Sequence, residues 1–425
     1  MSESPSETLR YLSLGNSCKE EGRLEDAVQC LQAGVVSCPE SAELWYNLGT
    51  TLLELSRLAE AVQALQQAIA LQPDFTNAYN NLGYTLHSQG KVEDAIAAYN
   101  HAIALNPADA EVYCNRAQAI LLSGDLGSGF VEFEWRTKVN YYYHYYEWAD
   151  GQPRWGGDCF VGKRLLVYDE QGFGDVLQFC RYLPLVKARG GRVQFSIKQP
   201  LLRLFANFSG IDELIEHTEA AIAQTQFDLT VPLLSLPHIF DTTLPTIPAG
   251  IPYLTADRRS IDRWRSKMNC AGTDLRVGLV WAGNPANVRT CGLQAMSPLA
   301  DIPGLTFYSL QKGYAAREAK TPPPGMRLID LTDDIADFAD TAALIMNLDL
   351  VVAVDTAVAH LAGALGKPVW TLLPAAGEWR WLLARNDTPW YPTMRLFRQS
   401  TPGDWNSVMT AVARELSAWQ AGGTG

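Results

Sequence analysis

The chain has 425 residues, 47% of them hydrophobic and 19% charged, with a formal net charge of -12. Such a length suggests two to four domains, and the acidic balance, with no long basic run, argues against a nucleic-acid role. The eight cysteines include no C-x-x-C pair, which argues against a zinc site or a disulfide framework and points to reduced thiols. The start, MSESPSETLR, carries no signal pattern, and no run approaches the roughly 20 apolar residues of a membrane helix. The expectation is a cytoplasmic protein that does not span a membrane.

The first third repeats itself. Pro39, Pro73 and Pro107 are spaced by 34, as are Tyr11, Trp45, Tyr79 and Tyr113. Leu14, Leu48 and Leu82 hold the same register, as do Gly15, Gly49 and Gly83, and Ala27, Ala61 and Ala95. The aromatic and Leu columns are three apart, so they share one helix face. The Gly and Ala columns allow two helices to approach, and the Pro column ends the second helix. Period and residue types resemble the tetratricopeptide repeat, over residues 7–138, with three full repeats and a degenerate fourth that caps the array. In the fourth repeat Arg116 stands in the Leu column. Such arrays bind proteins or peptides in a groove, or act as spacers. Asn47, Asn81 and Asn115 keep the 34-residue period and are candidates to hold a peptide backbone there. Helix-surface polarity explains them equally well.

Residues 139–159 form an aromatic-rich connector, whose tyrosines and Trp148 are expected to pack or to rim a cleft. Two α/β domains follow, over 160–256 and 273–400, and a final helix covers 403–420. Strands are expected at Arg164 to Tyr168, Val193 to Ile197, Glu213 to Glu216 and Phe227 to Leu233 in the first domain. In the second they are Val277 to Trp281, Thr306 to Leu310, Arg327 to Leu331, Leu350 to Val354 and Val369 to Leu373. Helices are expected over Ala336 to Asn347 and Ala357 to Leu365. Ligands of parallel sheets bind beyond the carboxyl ends of the strands. Asp355, Thr356 and His360 stand there, at a helix start suited to phosphate. The backbone N–H groups of Thr356, Ala357 and Val358 would face the anion, although capping by Asp355 or Thr356 is the simpler role.

The segment EQGFGDVLQFCRYLP, Glu170 to Pro184, resembles the Gly-Asp motif of the heptosyltransferases, glycosyltransferase family 9. The segment VDTAVAHLAGALGKPVWTLL is similar to their donor motif, and WAGNP, SLQKG and WRWLL recur in fusions of the two modules. This resemblance implies a helical repeat solenoid followed by a two-domain glycosyltransferase B-type α/β fold. It implies a nucleotide sugar as donor substrate, no cofactor and no metal. Asp175 is then the base for inverting transfer, with Glu170 as fallback, and Gln171, Gly172 and Gly174 form the acceptor-side loop. Asn284, Gln311, Lys312, Asp355, Thr356, Ala357, Val358, His360 and Glu378 are the donor-side candidates. Each also has a plain structural role open to it, from an N-cap at Asp175 to a solvated lysine at Lys312. The chain departs from the family in one loop. Where relatives carry an Asp/Arg-rich stretch, it reads ANVRTCGLQAMSPL, with Arg289 its only basic residue. That loop favours an alternative reading, a protein-binding scaffold with a silent transferase-like domain.

Overall fold

The computed structural model describes residues 5–139, 147–149, 151–268, 274–284 and 289–421. The tyrosines between 141 and 146, and Pro285, lie outside the described residues. Two compact units divide the chain: Met1–Tyr143 with Ala376–Leu383, and His144–Ala375 with Ala384–Gly425.

The first unit is built from four helix pairs. They are α1 (Pro5–Glu20) and α2 (Leu24–Ser37), α3 (Ala42–Glu54) and α4 (Leu58–Leu71), α5 (Thr76–Ser88) and α6 (Val92–Leu105), and α7 (Ala110–Ser123) and α8 (Leu126–Phe133). Ser41 and Asp109 cap α3 and α7 through side-chain oxygens that accept helix N–H groups. Pro39, Pro73 and Pro107 each stand two residues past the end of a second helix. The glycine column does what its spacing suggests. A Cβ on Gly49 would lie 2.7 Å from Leu65 Cγ, and one on Gly83 2.7 Å from Tyr99 Cε1, so only glycine permits this helix approach. Leu31, Leu44, Leu48 and Leu52 are buried between neighbouring repeats, the core that no single repeat can supply.

The fourth repeat replaces packing by charge. Arg116 bonds Glu132 of α8 through both Nε, at 2.7 Å, and Nη2, at 2.9 Å. The hydrophobic end of this pair is completed by the returning segment Ala376–Leu383. Trp379 meets the Phe130 ring edge-on at 5.6 Å, and Trp379 and Trp381 are buried. They are core residues of the repeat unit.

The second unit holds two parallel sheets. One contains β1 (Arg164–Tyr168), β2 (Arg192–Ile197), β3 (Glu213–Glu216) and β4 (Leu229–Pro232), in the order β3-β2-β1-β4. The other contains β5 (Leu275–Val280), β6 (Leu305–Ser309), β7 (Leu328–Asp330), β8 (Leu350–Val354), β9 (Val369–Leu373) and β10 (Met394–Arg398), in the order β10-β9-β8-β5-β6-β7. All pairings are parallel. Helices must then cover both faces, and β8 and β9 are accordingly buried along their whole length. The helices that bear on the site are α9 (Phe173–Phe179), α10 (Arg258–Lys267), α11 (Phe338–Ile345) and α12 (Ala357–Ala364); α13 (Trp405–Ala421) ends the described chain.

Strand order reverses beside β1 in the first sheet and between β5 and β8 in the second. A crevice opens at such a switch point, outside the carboxyl ends. The loops that leave β1, β5 and β8 there are Asp169 to Gly172, Trp281 to Asn284, and Asp355 to Thr356. Trp148 of the connector packs edge-on against Tyr168, at 4.7 Å, as its aromatic setting suggested. No helix among the described residues is long and apolar enough to cross a membrane.

Candidate active site

β8 delivers Asp355 into a buried position, where one carboxylate oxygen takes Arg289 Nη1 at 2.7 Å. The other oxygen lies 3.8 Å from His360 Nε2. Thr356 follows in extended conformation as the N-cap of α12. Its hydroxyl is buried and meets no partner among the described residues. The first N–H groups of a helix have no intrahelical acceptor, so Ala357 and Val358, half-buried in the first turn, present theirs outward. His360 sits one turn on, buried, with Nδ1 2.9 Å from the Tyr391 hydroxyl. The end of β5 completes this wall. Gly283 leaves room beside Arg289 and Thr356, each 3.8 Å from where its Cβ would be, and Asn284 is exposed beyond it.

The loop after β1 comes up against the same helix start. A Cβ on Gly174 would stand 3.1 Å from His360 Cδ2 and 3.7 Å from Ala357 Cα, so the glycine allows α9 and α12 to meet. Phe173 packs on Phe338 at 5.0 Å and holds the contact. Asp175 is half-buried in the first turn of α9, and its Oδ2 accepts the Gly172 N–H at 3.0 Å. Gln171 has φ +60°, an unusual backbone for a side-chain-bearing residue. Its carbonyl accepts Lys198 Nζ at 2.8 Å.

Further out, ion pairs hold Arg203 and Arg263 against the start of α11. Arg203 bonds Asp337 Oδ2 at 2.7 Å and approaches Asp340 Oδ2 at 2.7 Å, while Arg263 also binds Asp340. Burial alone would push the Asp337 carboxyl up. The Arg203 hydrogen bond and the backbone N–H groups of Asp340 and Ala339 outweigh it and hold Asp337 below the usual carboxylate range. A carboxyl lowered in the folded state stabilises the protein above its unfolded pKa, near 4, and loses that contribution as pH falls through its folded value. Arg203→Met is therefore expected to cost stability at neutral pH, and the deficit to shrink as the medium is taken below about pH 4. Urea midpoints of both proteins across that range check it. A deficit that does not change with pH would remove Asp337 from the account.

Several expected site residues are used elsewhere. Gln311 is buried, with Oε1 accepting the N–H groups of Trp281 and Ala282, at 3.0 and 2.8 Å, and Nε2 donating to the carbonyls of Ala282 and Lys312. An amide has two donor hydrogens and two lone pairs, and these four bonds occupy them. Gln311 therefore shapes the β5 loop and offers nothing to a donor. Lys312 Nζ donates to the Thr332 and Ile335 carbonyls, at 2.9 and 3.1 Å. Glu378 instead lies in the segment grouped with the repeats, where it bonds Arg380 and caps a 3-10 turn. Glu170 is fully buried and accepts the Leu234 N–H, which takes it off the crevice surface. The periodic asparagines are half-buried and bonded within the array: Asn47 to the Glu43 carbonyl, Asn81 to Tyr46, and Asn115 to Asn80. Asn81 and Asn115 tie adjacent repeats together at their first helices, whereas the Asn47 bond stays within α3.

Other residues join the site without a motif to announce them. Arg289 supplies charge at Asp355, Tyr391 supports His360, and the buried Arg181 stacks on the Tyr391 ring. At the carboxyl ends of β1, β2 and β3, buried Asp169 bonds His217 and the Lys198 N–H, with Lys198 Nζ 3.4 Å away. Their position directly after strands was the available signal.

Residues 12–74, 46–110 and 80–128 match the tetratricopeptide-repeat family model, and residues 335–390 match that of glycosyltransferase family 9 (heptosyltransferase). The chain joins tetratricopeptide repeats to a glycosyltransferase family 9, heptosyltransferase-like domain. The family 9 match contains α11, β8, α12 and β9, and with them Asp355, Thr356 and His360. Protein FlbA of Caulobacter vibrioides is 28% identical over 340 residues, which are 72% of this chain and 55% of FlbA, so the chain spans about half of that relative's length. Among solved structures, MamA is 30% identical over 32% of this chain and 79% of its own, with a TM-score of 0.30. A glycosyl transferase family 9 protein of Veillonella parvula is 10% identical, covering 58% of this chain and 88% of its own, with a TM-score of 0.45.

Proposed function

We propose that the chain transfers a sugar from a nucleotide-sugar donor to an acceptor hydroxyl, with inversion and without a metal ion. The observation that carries this reading is the approach of Gly174 to His360 and Ala357, which sets the Asp175 turn beside the start of α12. The donor diphosphate would lie against the N–H groups of Ala357 and Val358 and the Thr356 hydroxyl. Arg289 and His360 would add a cation and a hydrogen bond. Asp175 would take the proton of the acceptor hydroxyl as its oxygen attacks the anomeric carbon from the face opposite the diphosphate. The bond to the diphosphate breaks in the same displacement, which inverts the centre. The helix dipole and Arg289 stabilise charge where it grows on the leaving group.

The repeats would recruit the acceptor, a protein or peptide segment, or a glycan carried by a bound partner. A second reading, a scaffold with a silent domain, draws support from Arg289, whose charge Asp355 already balances. Thermal shift with UDP, GDP and ADP, and with their sugar conjugates, separates the two. A ligand at 100 times its Kd stabilises by about 2.7 kcal/mol. At least one member of the set is expected to bind; a flat response to all would favour the scaffold.

A further inference from the structure

His360 is the buried polar side chain where α9 meets α12, and which of its nitrogens carries the hydrogen decides what it can do. Its surroundings are electrically lopsided. On the Nδ1 side is the Tyr391 hydroxyl, at 2.9 Å. Behind Tyr391 lies Arg181, 4% exposed, its guanidinium 4.7 Å from the Tyr391 ring centre and 4.6 Å from that of Tyr253. Arg181 is locked by bonds to the Trp390 carbonyl, at 2.7 Å, and the Tyr253 hydroxyl, at 2.8 Å. The Tyr253 hydroxyl in turn donates to the Leu177 carbonyl of α9, at 2.8 Å. On the Nε2 side is the Asp355 carboxylate, 3.8 Å away. A cation beyond Nδ1 and an anion beyond Nε2 both draw the imidazole hydrogen toward Nε2.

We propose that Tyr391, held by Arg181 and Tyr253, is a positioning residue that donates its hydroxyl hydrogen to Nδ1 and fixes His360 as the Nε2–H tautomer. The nearby guanidinium strengthens a phenol as a donor. Burial pushes the Tyr391 phenol up, so it keeps a hydrogen to give. His360 then offers its Nε2–H on the Asp355 side as a hydrogen-bond donor, which a phosphate oxygen at the start of α12 would share. This last use rests on the donor-site reading above; the tautomer does not. The strut also joins the two sheet regions of the second unit, since Arg181 follows α9 and Tyr391 precedes β10. The orientation of His360 is thereby set from the region that carries Asp175.

The test is nitrogen NMR of the histidine side chains in the full chain near neutral pH, with the His360 signals assigned by their loss in His360→Gln. The expected wild-type pattern is a bare Nδ1 and a protonated Nε2. Tyr391→Phe should put hydrogen on Nδ1 in a measurable share of molecules and weaken whichever of UDP, GDP or ADP binds by about fivefold, the worth of one hydrogen bond. A protonated Nδ1 in the wild type, or a Phe variant with an unchanged His360 spectrum, overturns the proposal. The wild-type spectrum decides the tautomer even where the variant fails to fold. If no nucleotide and no sugar conjugate of the panel binds the wild type, the donor-site reading falls and the spectrum still decides the tautomer.

Discussion

Asp175→Asn is expected to lower sugar transfer by about 10²–10⁴-fold, the range typical for loss of a general base. The substitution isolates chemistry from structure. Asp175 Oδ2 accepts the Gly172 N–H, and the carbonyl oxygen of Asn can accept it equally well, so the turn into α9 should survive. Gly174 still meets His360 across the crevice, and the start of α12 is untouched. Nucleoside diphosphate affinity should therefore stay near that of the wild type. The measurement is release of nucleoside diphosphate from whichever conjugate the thermal-shift panel identifies, with and without acceptor, alongside the binding constant of the diphosphate. An Asn variant that turns over as fast as wild type would remove Asp175 as the base. If its affinity fell as far as its rate, the carboxylate would be holding the loop rather than taking a proton.

The start of α12 and the Gly-Asp turn were legible in the chain because each is local. The polar pair Asp355-Thr356 interrupts two apolar runs, and β8 and β9 begin and end at the residues those runs mark. The repeats were legible because a 34-residue period fixes which faces meet, and Gly49 against Leu65 realises it. Other strands shifted by a residue or two, as at β5 and β6, and β10 went unread. An edge strand carrying Arg395 and Arg398 lacks the continuous apolar run of a buried one. The support of His360 was out of reach for a different reason. Tyr391 lies 31 residues from His360, and Arg181 lies 209 from the Trp390 carbonyl it binds. Single polar residues at such separations leave no pattern. Glu378 shows the converse error. Nearness in sequence to β9 suggested the donor site, but Trp379 and Trp381 bury far more apolar surface than a polar loop could, and they carry their segment into the repeat unit.

Gln311 is where polarity at a strand end misled most, and it carries the largest expected stability effect. Gln311→Ala would strip partners from four backbone groups at once: the N–H groups of Trp281 and Ala282 and the carbonyls of Ala282 and Lys312. A buried polar group left unsatisfied costs about 1–3 kcal/mol. Some of the four would find water or relax outward, which places the expected loss at about 3–4 kcal/mol. Gln311→Met separates the causes, because it keeps the side-chain length and loses all four bonds. It should fall nearly as far as the Ala variant in urea midpoint. A Met variant as stable as wild type would mean that Gln311 acts through packing. The same two variants should weaken diphosphate binding even though Gln311 touches no ligand in the proposed site. The β5 loop it shapes runs through Gly283, which gives Arg289 and Thr356 their room. When the loop loses its amide brace, Arg289 is no longer held beside Asp355, and the proposed diphosphate site at the start of α12 loses the cation that loop supplies. Undiminished affinity in a destabilised Gln311 variant would show instead that α12 alone suffices to hold the diphosphate.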